Sequence, residues 1–596
     1  MAGAFVRGSR MAKARTDLIR PGRAKTAFYL LCAVAAFLTY RLYDVQVIEG
    51  PWLARQALEQ RSETVETFAR RGTIYDADHQ VLVRSLPSES IYADPNDIVD
   101  PASVARKLAS ILSLKFQDVD AILESGKRQH LKFVWIERKV PHEVVDRLRK
   151  QAIDGVSVVQ EETGVRYYPS GRLASTVLGF VGIDENGLDG LEYEFDSLLR
   201  GTPGKSTIEA DEFGRAIPFG RTNVIEVAHP GYSLQLTLDS YLQFEAERAL
   251  RAQVKKFGAA SGTVIVMNPY TGAIRALANI PDYDPHAFAK ASPDARRDRA
   301  VMDAYEPGST FKLITAAAAL ESGKVTIDSR FPAVNELHVA DRTIHNADDD
   351  LPANGGTETL EDIIAFSHNV GAAEVGMRIG KARLYAMIKN FGFGDPVDID
   401  LPGENPGIVP SPDEWSGSSL ATISFGQGIS TTPIAMIRAY AAIANGGILV
   451  RPRVLAAIDD PSGRVIYRYG TEVEHRVISE RTAAKLREML RAVVVRGTGN
   501  PTAQVAGYTT AGKTGTAQVV ENGIYEPGAY IASFIGYVPA DRPRYVILVK
   551  IDRPRTAIYG SLVAAPVFAE LAKIAMLHAG IMPRATPAKL QHGDAP

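Results

Sequence analysis

Residues 306–312 read EPGSTFK and run directly into LITAAAALESG, residues 313–323. The second segment consists of strong helix formers and ends at Gly323, so it predicts an α-helix together with its stop. Pro307 suits the first turn of that helix, where a missing N–H costs nothing. Ser309 and Lys312 stand three residues apart and share a helix face, about 5–6 Å apart at Cβ. Serine is an ordinary residue at a helix start, and lysine an ordinary solvated side chain. The same pair can also react. A lysine that has lost its proton through desolvation or neighbouring positive charge can take the serine proton, and the helix N-terminus favours the resulting alkoxide. A single S-x-x-K in a chain of this length does not separate the two readings.

Two later stretches bear on the choice. SHN, residues 367–369, follows the helical TLEDIIAF, in which Thr359 and Asp362 are spaced as a capping box. Residues two apart cannot share a helix face, so Ser367 and Asn369 converge only if SHN is a loop or a turn between helices. His368 is flanked by these two better-placed candidates and is given no role. AGKTGTAQVV, residues 511–520, reads as a strand with Lys513 and Gly515 on one face. Gly515 removes a side chain where a ligand could lie against the backbone, and Thr514 and Thr516 add hydroxyls at a sheet edge. An open edge binds an extended peptide through main-chain hydrogen bonds; a protected polar edge with a lysine is the plainer alternative.

Around these stretches the chain reads as a sheet covered by helices. LQLTL near residue 235 alternates as a strand, and the following residues have helical periodicity through Leu242, Ala246, Ala249 and Leu250. SGTVIVMNPYTGAIRALANI, 261–280, reads as a hairpin, and YIASFIGYVPADRPRYVILVKIDRP repeats that pattern near the far end. Strands at both ends with helices between them imply a sheet closed by distant segments. Residues 50 to about 228 are mixed, with helical VARKLASILSLKF and PHEVVDRLRKQAI among short strand-like pieces. GFVGIDENGLDGLEYEFDSLLRGTPGK reads as a turn-laden connector. No internal repeat of 20–50 residues is evident.

At 596 residues the chain exceeds what one core supports, so at least two extramembrane domains are expected. Hydrophobic content of 45% and charged content of 23% are those of globular protein, and 67 basic against 69 acidic residues give no global case for a nucleic-acid partner. The charge is locally uneven: Arg7, Arg10, Lys13, Arg15, Arg20, Arg23 and Lys25 face the single acid Asp17 upstream of residue 26. An uncharged run, TAFYLLCAVAAFLTY, follows. It is shorter than the roughly 20 residues that span a bilayer, but the apolar pattern continues to Ile48, and Arg41 can snorkel. A cleaved signal peptide is the rival, since AVA at 33–35 resembles a cleavage site. The continuing hydrophobicity favours a retained anchor, with a cytoplasmic tail and the bulk of the chain across the membrane. Cys32, the single cysteine, lies in that segment, which leaves the remainder without disulfides, thiolate metal ligands or thiol nucleophiles.

S-x-x-K, S-x-N and K-T-G in this chain order form the motif set of penicillin-binding proteins and class A β-lactamases; 58 residues separate positions 309 and 367, and 146 separate 367 and 513. Nearly the whole chain resembles class B penicillin-binding proteins, the membrane-anchored peptidoglycan D,D-transpeptidases, and most closely their division-specific FtsI type. The likeness includes RLYDVQVIEG, RRGTIYDADHQVLVRS, YYPSGRLASTVLGFVG with GLDGLEYEFDSLLRGTPGK, and FGQGISTTPIAM. Two departures are visible: Asp78-His79 stands where the family often has an Asn-Gly-like turn, and Asp298 stands where Asn often precedes Arg-Ala.

The resemblance implies an α+β fold with a basic tail (1–25), a transmembrane anchor (26–48), an elongated mixed α/β pedestal of dimerisation type (49–228), a transpeptidase domain (229–582) and a flexible tail (583–596). It implies Ser309 as nucleophile toward stem peptides ending in D-Ala-D-Ala, Lys312 as general base, Ser367 as proton relay and Lys513 as electrostatic aid. Asn369 would hold the peptide backbone and Lys312, with Thr514, Gly515 and Thr516 on the substrate-binding strand. Backbone N–H groups of Ser309 and Thr516 would form the oxyanion hole. It implies no cofactor, no metal and no nucleic acid. The expected partners are β-lactams, the inner membrane, other divisome membrane proteins and a polytopic glycosyltransferase of the FtsW type. An elongation-specific class B transpeptidase is the competing reading. A β-lactam sensor or β-lactamase would not need the long pedestal, and a bifunctional synthase would need a further catalytic domain. A non-catalytic division scaffold is the alternative from another class.

Overall fold

The computed structural model describes residues 21–67, 69–209, 222–347, 351, 356–521 and 523–584. The basic residues Arg7 to Arg20 and the tail from 585 onward lie outside the described residues. Two bodies are present: residues up to 67 together with 203–228, and residues 68–202 together with 229 onward.

The first body holds the N-terminal helix Pro21–Tyr43, which continues through a wider turn, Asp44–Ile48. Gly22–Ile48 is a 27-residue apolar span with no part buried against protein, roughly 40 Å at 1.5 Å per residue and so long enough to cross a bilayer. A second helix, Gly50–Arg61, leads into a three-stranded antiparallel sheet ordered Ser62–Thr67, Gly204–Glu209, Thr222–Glu226.

In the second body, five antiparallel strands form the central sheet: β1 Ser261–Met267, β2 Ile274–Ile280, β3 Ala511–Glu521, β4 Ile524–Val538 and β5 Tyr545–Asp552. Their order is β2-β1-β5-β4-β3, so the two hairpins read from sequence meet where β1 pairs with β5, and β3 is an edge. Period-two alternation sorts the strand residues. Val264, Val266, Phe534, Ile547 and Val549 pack on helices α1 (Ser240–Phe257) and α6 (Ala565–His578). Ile265, Met267, Ile535, Val546 and Leu548 face the opposite core, built on α2 (Lys312–Glu321) and α5 (Pro433–Ala444). Leu242, Ala246, Ala249 and Leu250 of α1 are all buried. Asp239 caps α1 through the Tyr241 and Leu242 N–H groups.

The pedestal residues of this body build a second sheet around Val81–Ala93, which pairs with both Val134–Pro141 and Val156–Tyr167. Helices Pro101–Leu112, Phe116–Arg128 and His142–Arg149 cover it with Leu108, Leu123 and Val145. This sheet continues into the C-terminal half: Ile74–Tyr75 runs parallel to Leu234–Gln235, which pairs in turn with Leu455–Asp459. His79, in the departing Asp78-His79 turn, has φ of +58°, a conformation that favours glycine or asparagine.

The glycine-rich stretch 179–205 keeps the turns expected of it, with Ile183, Leu188 and Tyr193 exposed, but it also buries Phe180, Leu191, Glu192 and Leu199. A Cβ on Gly179 or Gly187 would stand 1.8 Å from the carbonyl oxygens of Asp189 or Glu192, so these glycines allow backbone to lie on backbone. Their packing seats Glu192, which is fully buried and accepts from Arg71 Nε at 2.7 Å and Arg166 Nε at 2.8 Å. Arg71 also donates to Asp196 at 2.6 Å, and Arg166 to the Gly72 carbonyl at 2.7 Å. With each guanidinium bound both to carboxylate and to backbone, the desolvation of these charges is matched by strong hydrogen bonds.

Candidate active site

EPGSTFK folds as a 3₁₀ turn, Gly308–Phe311, that passes into α2 at Lys312. Three residues per turn eclipse positions i and i+3, so Ser309 and Lys312 share a face through 3₁₀ winding where an α-turn was expected. The turn is braced from FGQGISTTPIAM. Gly308 N–H donates to the Gly426 carbonyl at 3.1 Å, and Gly426, at φ +84°, has no space for a Cβ, which would lie 2.2 Å from Gly308 O. Below it, the buried Tyr440 hydroxyl donates to the Thr310 carbonyl at 2.8 Å.

Lys312 and Lys513 are both fully buried. Lys312 Nζ donates to the Ser367 carbonyl in a close contact, to Asn369 Oδ1 at 2.8 Å and to Ser367 Oγ at 3.3 Å. Lys513 Nζ, at the other side, donates to Ser367 Oγ at 2.8 Å and to the Thr514 carbonyl at 3.1 Å. One serine hydroxyl therefore lies between two amines. Burial, reinforced by the charge of Lys513, pushes Lys312 well below the ordinary lysine range; burial brings Lys513 down to about 7. Ser309 lines the adjoining cleft, of 510 Å³. No hydrogen bond joins its Oγ to Lys312 among the described residues; apo catalytic pairs commonly stand apart and close in the Michaelis complex.

SHN is a turn between helices. Thr359 and Asp362 form the capping box of α3, Leu360–Phe366, and Ser367 ends that helix at φ +64°. His368 then occupies the N-cap position of α4, Asn369–Ile379, without a side-chain capping bond. This reversal brings residues two apart onto one lysine. Asn346 Oδ1 secures it by accepting from Asn369 N–H at 2.9 Å, while Asn369 Nδ2 donates to the His345 carbonyl at 3.0 Å.

The edge strand β3 forms the opposite wall, with Lys513, Thr514, Gly515 and Thr516 paired to Ile535, Phe534, Ser533 and Ala532. Thr514, Thr516 and Gln518 line the cleft. Gly515 has a reason other than the one expected. A Cβ there would meet Ser533 Oγ at 2.4 Å and Thr310 Cγ2 at 2.9 Å, so its missing side chain lets the strand close on the Gly308–Phe311 turn. Thr498 was missed from sequence: its hydroxyl pairs with that of Thr514 at 2.7 Å. Its signal was Gly497-Thr498-Gly499, where Gly497 approaches the Ala365 carbonyl too closely for a Cβ. Gln427, from FGQGISTTPIAM, also lines the cleft, as do Tyr530 and Tyr559, which carry no motif.

A model of the penicillin-binding protein transpeptidase domain matches residues 262–573, and a model of the penicillin-binding protein dimerisation domain matches 66–236. The chain belongs to the class B penicillin-binding proteins. Stage V sporulation protein D of Bacillus subtilis is 34% identical over 94% of this penicillin-binding protein and 87% of its own length. Peptidoglycan D,D-transpeptidase FtsI of Escherichia coli is 30% identical over 91% of this chain and 90% of its own. A crystal structure of penicillin-binding protein 3 from Mycobacterium tuberculosis, complexed with aztreonam, superposes with a TM-score of 0.68 at 30% identity, covering 88% of this chain and 99% of that one. The penicillin-binding protein is accordingly a serine D,D-transpeptidase of peptidoglycan.

A larger cleft, of 820 Å³, opens on the far side of Glu306. Its ionic groups are engaged with one another, Arg297 with Asp303, Arg299 with Asp294 and Arg553 with Glu521. The smaller cleft differs in having Ser309, Ser367 and Asn369 in its lining, with the two buried amines meeting at Ser367. Asp298, the second departure, caps the short helix Arg299–Met302 and accepts from Asn279 Nδ2 at 2.9 Å. Burial lifts its carboxyl to about 7.

Proposed function

We propose that Ser309 is the acyl-accepting nucleophile of this penicillin-binding protein, with Lys312 as its base. Support comes chiefly from Ser367 Oγ, which lies 3.3 Å from Lys312 Nζ and 2.8 Å from Lys513 Nζ. An uncharged Lys312 takes the Ser309 proton as Oγ bonds to the carbonyl carbon of the penultimate D-Ala. The C–N bond then breaks, and the proton passes through Ser367 to the leaving D-Ala amine. The amine of a neighbouring stem peptide attacks the ester, forms the cross-link and returns a proton to Ser309. Lys513 supplies positive charge beside Ser367, and Asn369 fixes Lys312. Thr514 and Thr516 bind the donor's terminal carboxylate, and the backbone of Gly515 pairs with the donor peptide. The N–H groups of Ser309 and Thr516 stabilise the oxyanion. Reconstituted with lipid-linked disaccharide peptide and a glycosyltransferase, wild type yields cross-linked muropeptides; Ser309→Ala with undiminished cross-links would refute the assignment.

The domain limits are taken as 49–228 for the pedestal and 229–582 for the transpeptidase. The apolar span anchors the protein in the inner membrane, with its basic N-terminus cytoplasmic. Its site of work is the septum, alongside a polytopic glycosyltransferase of the FtsW type. Depletion is expected to give filaments; rounded, dividing cells would favour the elongation reading instead.

A further inference from the structure

Behind the turn that carries Ser367 and Asn369 lies a second buried pair that acyl transfer does not use. His368 and Glu358, each 5% exposed, are joined by a close hydrogen bond between Nδ1 and Oε2. Glu358 comes from a separate two-stranded ribbon, where it pairs with Phe331. Space for its carboxylate is provided by Gly371, in the first turn of α4: a Cβ there would stand 2.4 Å from Glu358 Oε1. The His368 ring also stacks on Phe366, with centroids 6.0 Å apart, and the Arg496 guanidinium lies over Phe366 at 5.3 Å. A polar helix junction that only met solvent would need neither a buried carboxylate nor a glycine fitted around it.

Lys312 binds the same turn through the two residues that flank His368. Charged and titratable groups reach this region from several elements: Lys513, Glu358, Glu374 with Arg378 on α4, Arg496 paired with Glu361 and Asp362, and His368 itself. Lys513 drives the proton from Lys312, whereas Glu358 retains it. Glu374, on α4, also feels the Glu358 charge.

We propose that Glu358 is a positioning residue for the acyl-transfer centre: its carboxylate grips His368, fixing the turn that presents Ser367 and Asn369, and places a negative charge behind Lys312. This role rests on the acyl-transfer reading of the site. Its consequence is that Glu358 raises the pH at which the centre becomes active, because its charge opposes the deprotonation of Lys312 that burial and Lys513 favour.

The test is the pH profile of acylation. Full-length protein in detergent is labelled with a fluorescent penicillin from pH 4.5 to 9, for wild type, Glu358→Gln, Glu358→Met and Glu358→Asp, with far-UV circular dichroism as the folding control. The two neutral variants differ in polarity, so one can report if the other folds poorly. Removing the charge is expected to move the acid limb down by about half to one pH unit, raising labelling several-fold, relative to each variant's own plateau, at pH values below the wild-type limb. Glu358→Asp is expected to return the limb to its wild-type position, with a lower plateau because the shorter side chain draws His368 away. Neutral variants whose acid limb coincides with that of wild type overturn the proposal, whatever their plateau, as does a Glu358→Asp limb that follows the neutral variants. Failure of the acyl-transfer reading has a different signature: Ser309→Ala labelled as well as wild type.

Discussion

Lys513 is fully buried and held near pKa 7, so keeping its ammonium charged costs the fold stability. Between pH 7 and the ordinary lysine value of 10.5 the unfolded chain binds a proton that the folded protein does not, and stability rises with pH across that window. Below it both states are charged and the burial cost is felt in full. Lys513→Met is therefore expected to raise Tm at pH 7, by a stabilisation of order a few kcal/mol, while lowering the acylation rate about 10²–10³-fold; calorimetry paired with penicillin labelling measures both. Activity is expected to have the opposite slope if Lys513 acts by its charge, as proposed. The alkaline limb of acylation should fall near pH 7 in wild type and move upward in Lys513→Arg. The grouping of Ser309, Ser367 and Asn369 at one cleft, with Lys312 and Lys513 bonded to Ser367, was legible in sequence because each lies in a short motif. Glu358 and Thr498 were not, since their partners are brought by separate elements and no spacing links them to the site.

The elements are held together at glycines more tightly than their sequence pattern discloses. Gly515 lies between Ser533 Oγ and Thr310 Cγ2, so Gly515→Ala wedges β3 from the nucleophile turn. Acylation is expected to fall about 100-fold, and Ser533→Ala in the same chain should recover part of it by removing the nearer atom; an unimpaired Gly515→Ala would show that β3 is free to shift. Strand and helix identities were readable from periodicity, including the pairing of two distant hairpins in one sheet. The packing of the stretch 179–205 was not, because glycine signals a turn and close backbone packing equally well in one dimension. Its tertiary reason, the burial of Glu192 between Arg71 and Arg166, lies more than 100 residues away at Arg71.

Across the whole molecule, the sheet that passes from Val81–Ala93 through Ile74–Tyr75 to Leu234–Gln235 joins pedestal to transpeptidase by backbone hydrogen bonds. Residues 69–202 and 229–584 should consequently unfold together. Differential scanning calorimetry is expected to give one cooperative transition for this body, lowered as a unit when Glu192→Ala strands two buried guanidinium groups, at a cost of about 3–5 kcal/mol. Two separated transitions, only one of them sensitive to Glu192, would show that the shared sheet does not couple the halves. Composition and the apolar segment forecast a multi-domain anchored chain, but nothing in one dimension indicated that the pedestal would lend strands to its neighbour. In the proposed chemistry, two buried lysines meeting at Ser367 make Ser309 an acyl acceptor. Peptide mapping by mass spectrometry after brief exposure to benzylpenicillin tests it most directly. A single covalent adduct on Ser309, absent from Ser309→Ala and strongly reduced in Lys312→Ala, is the predicted result; an adduct on another residue, or one that survives in Ser309→Ala, would contradict it.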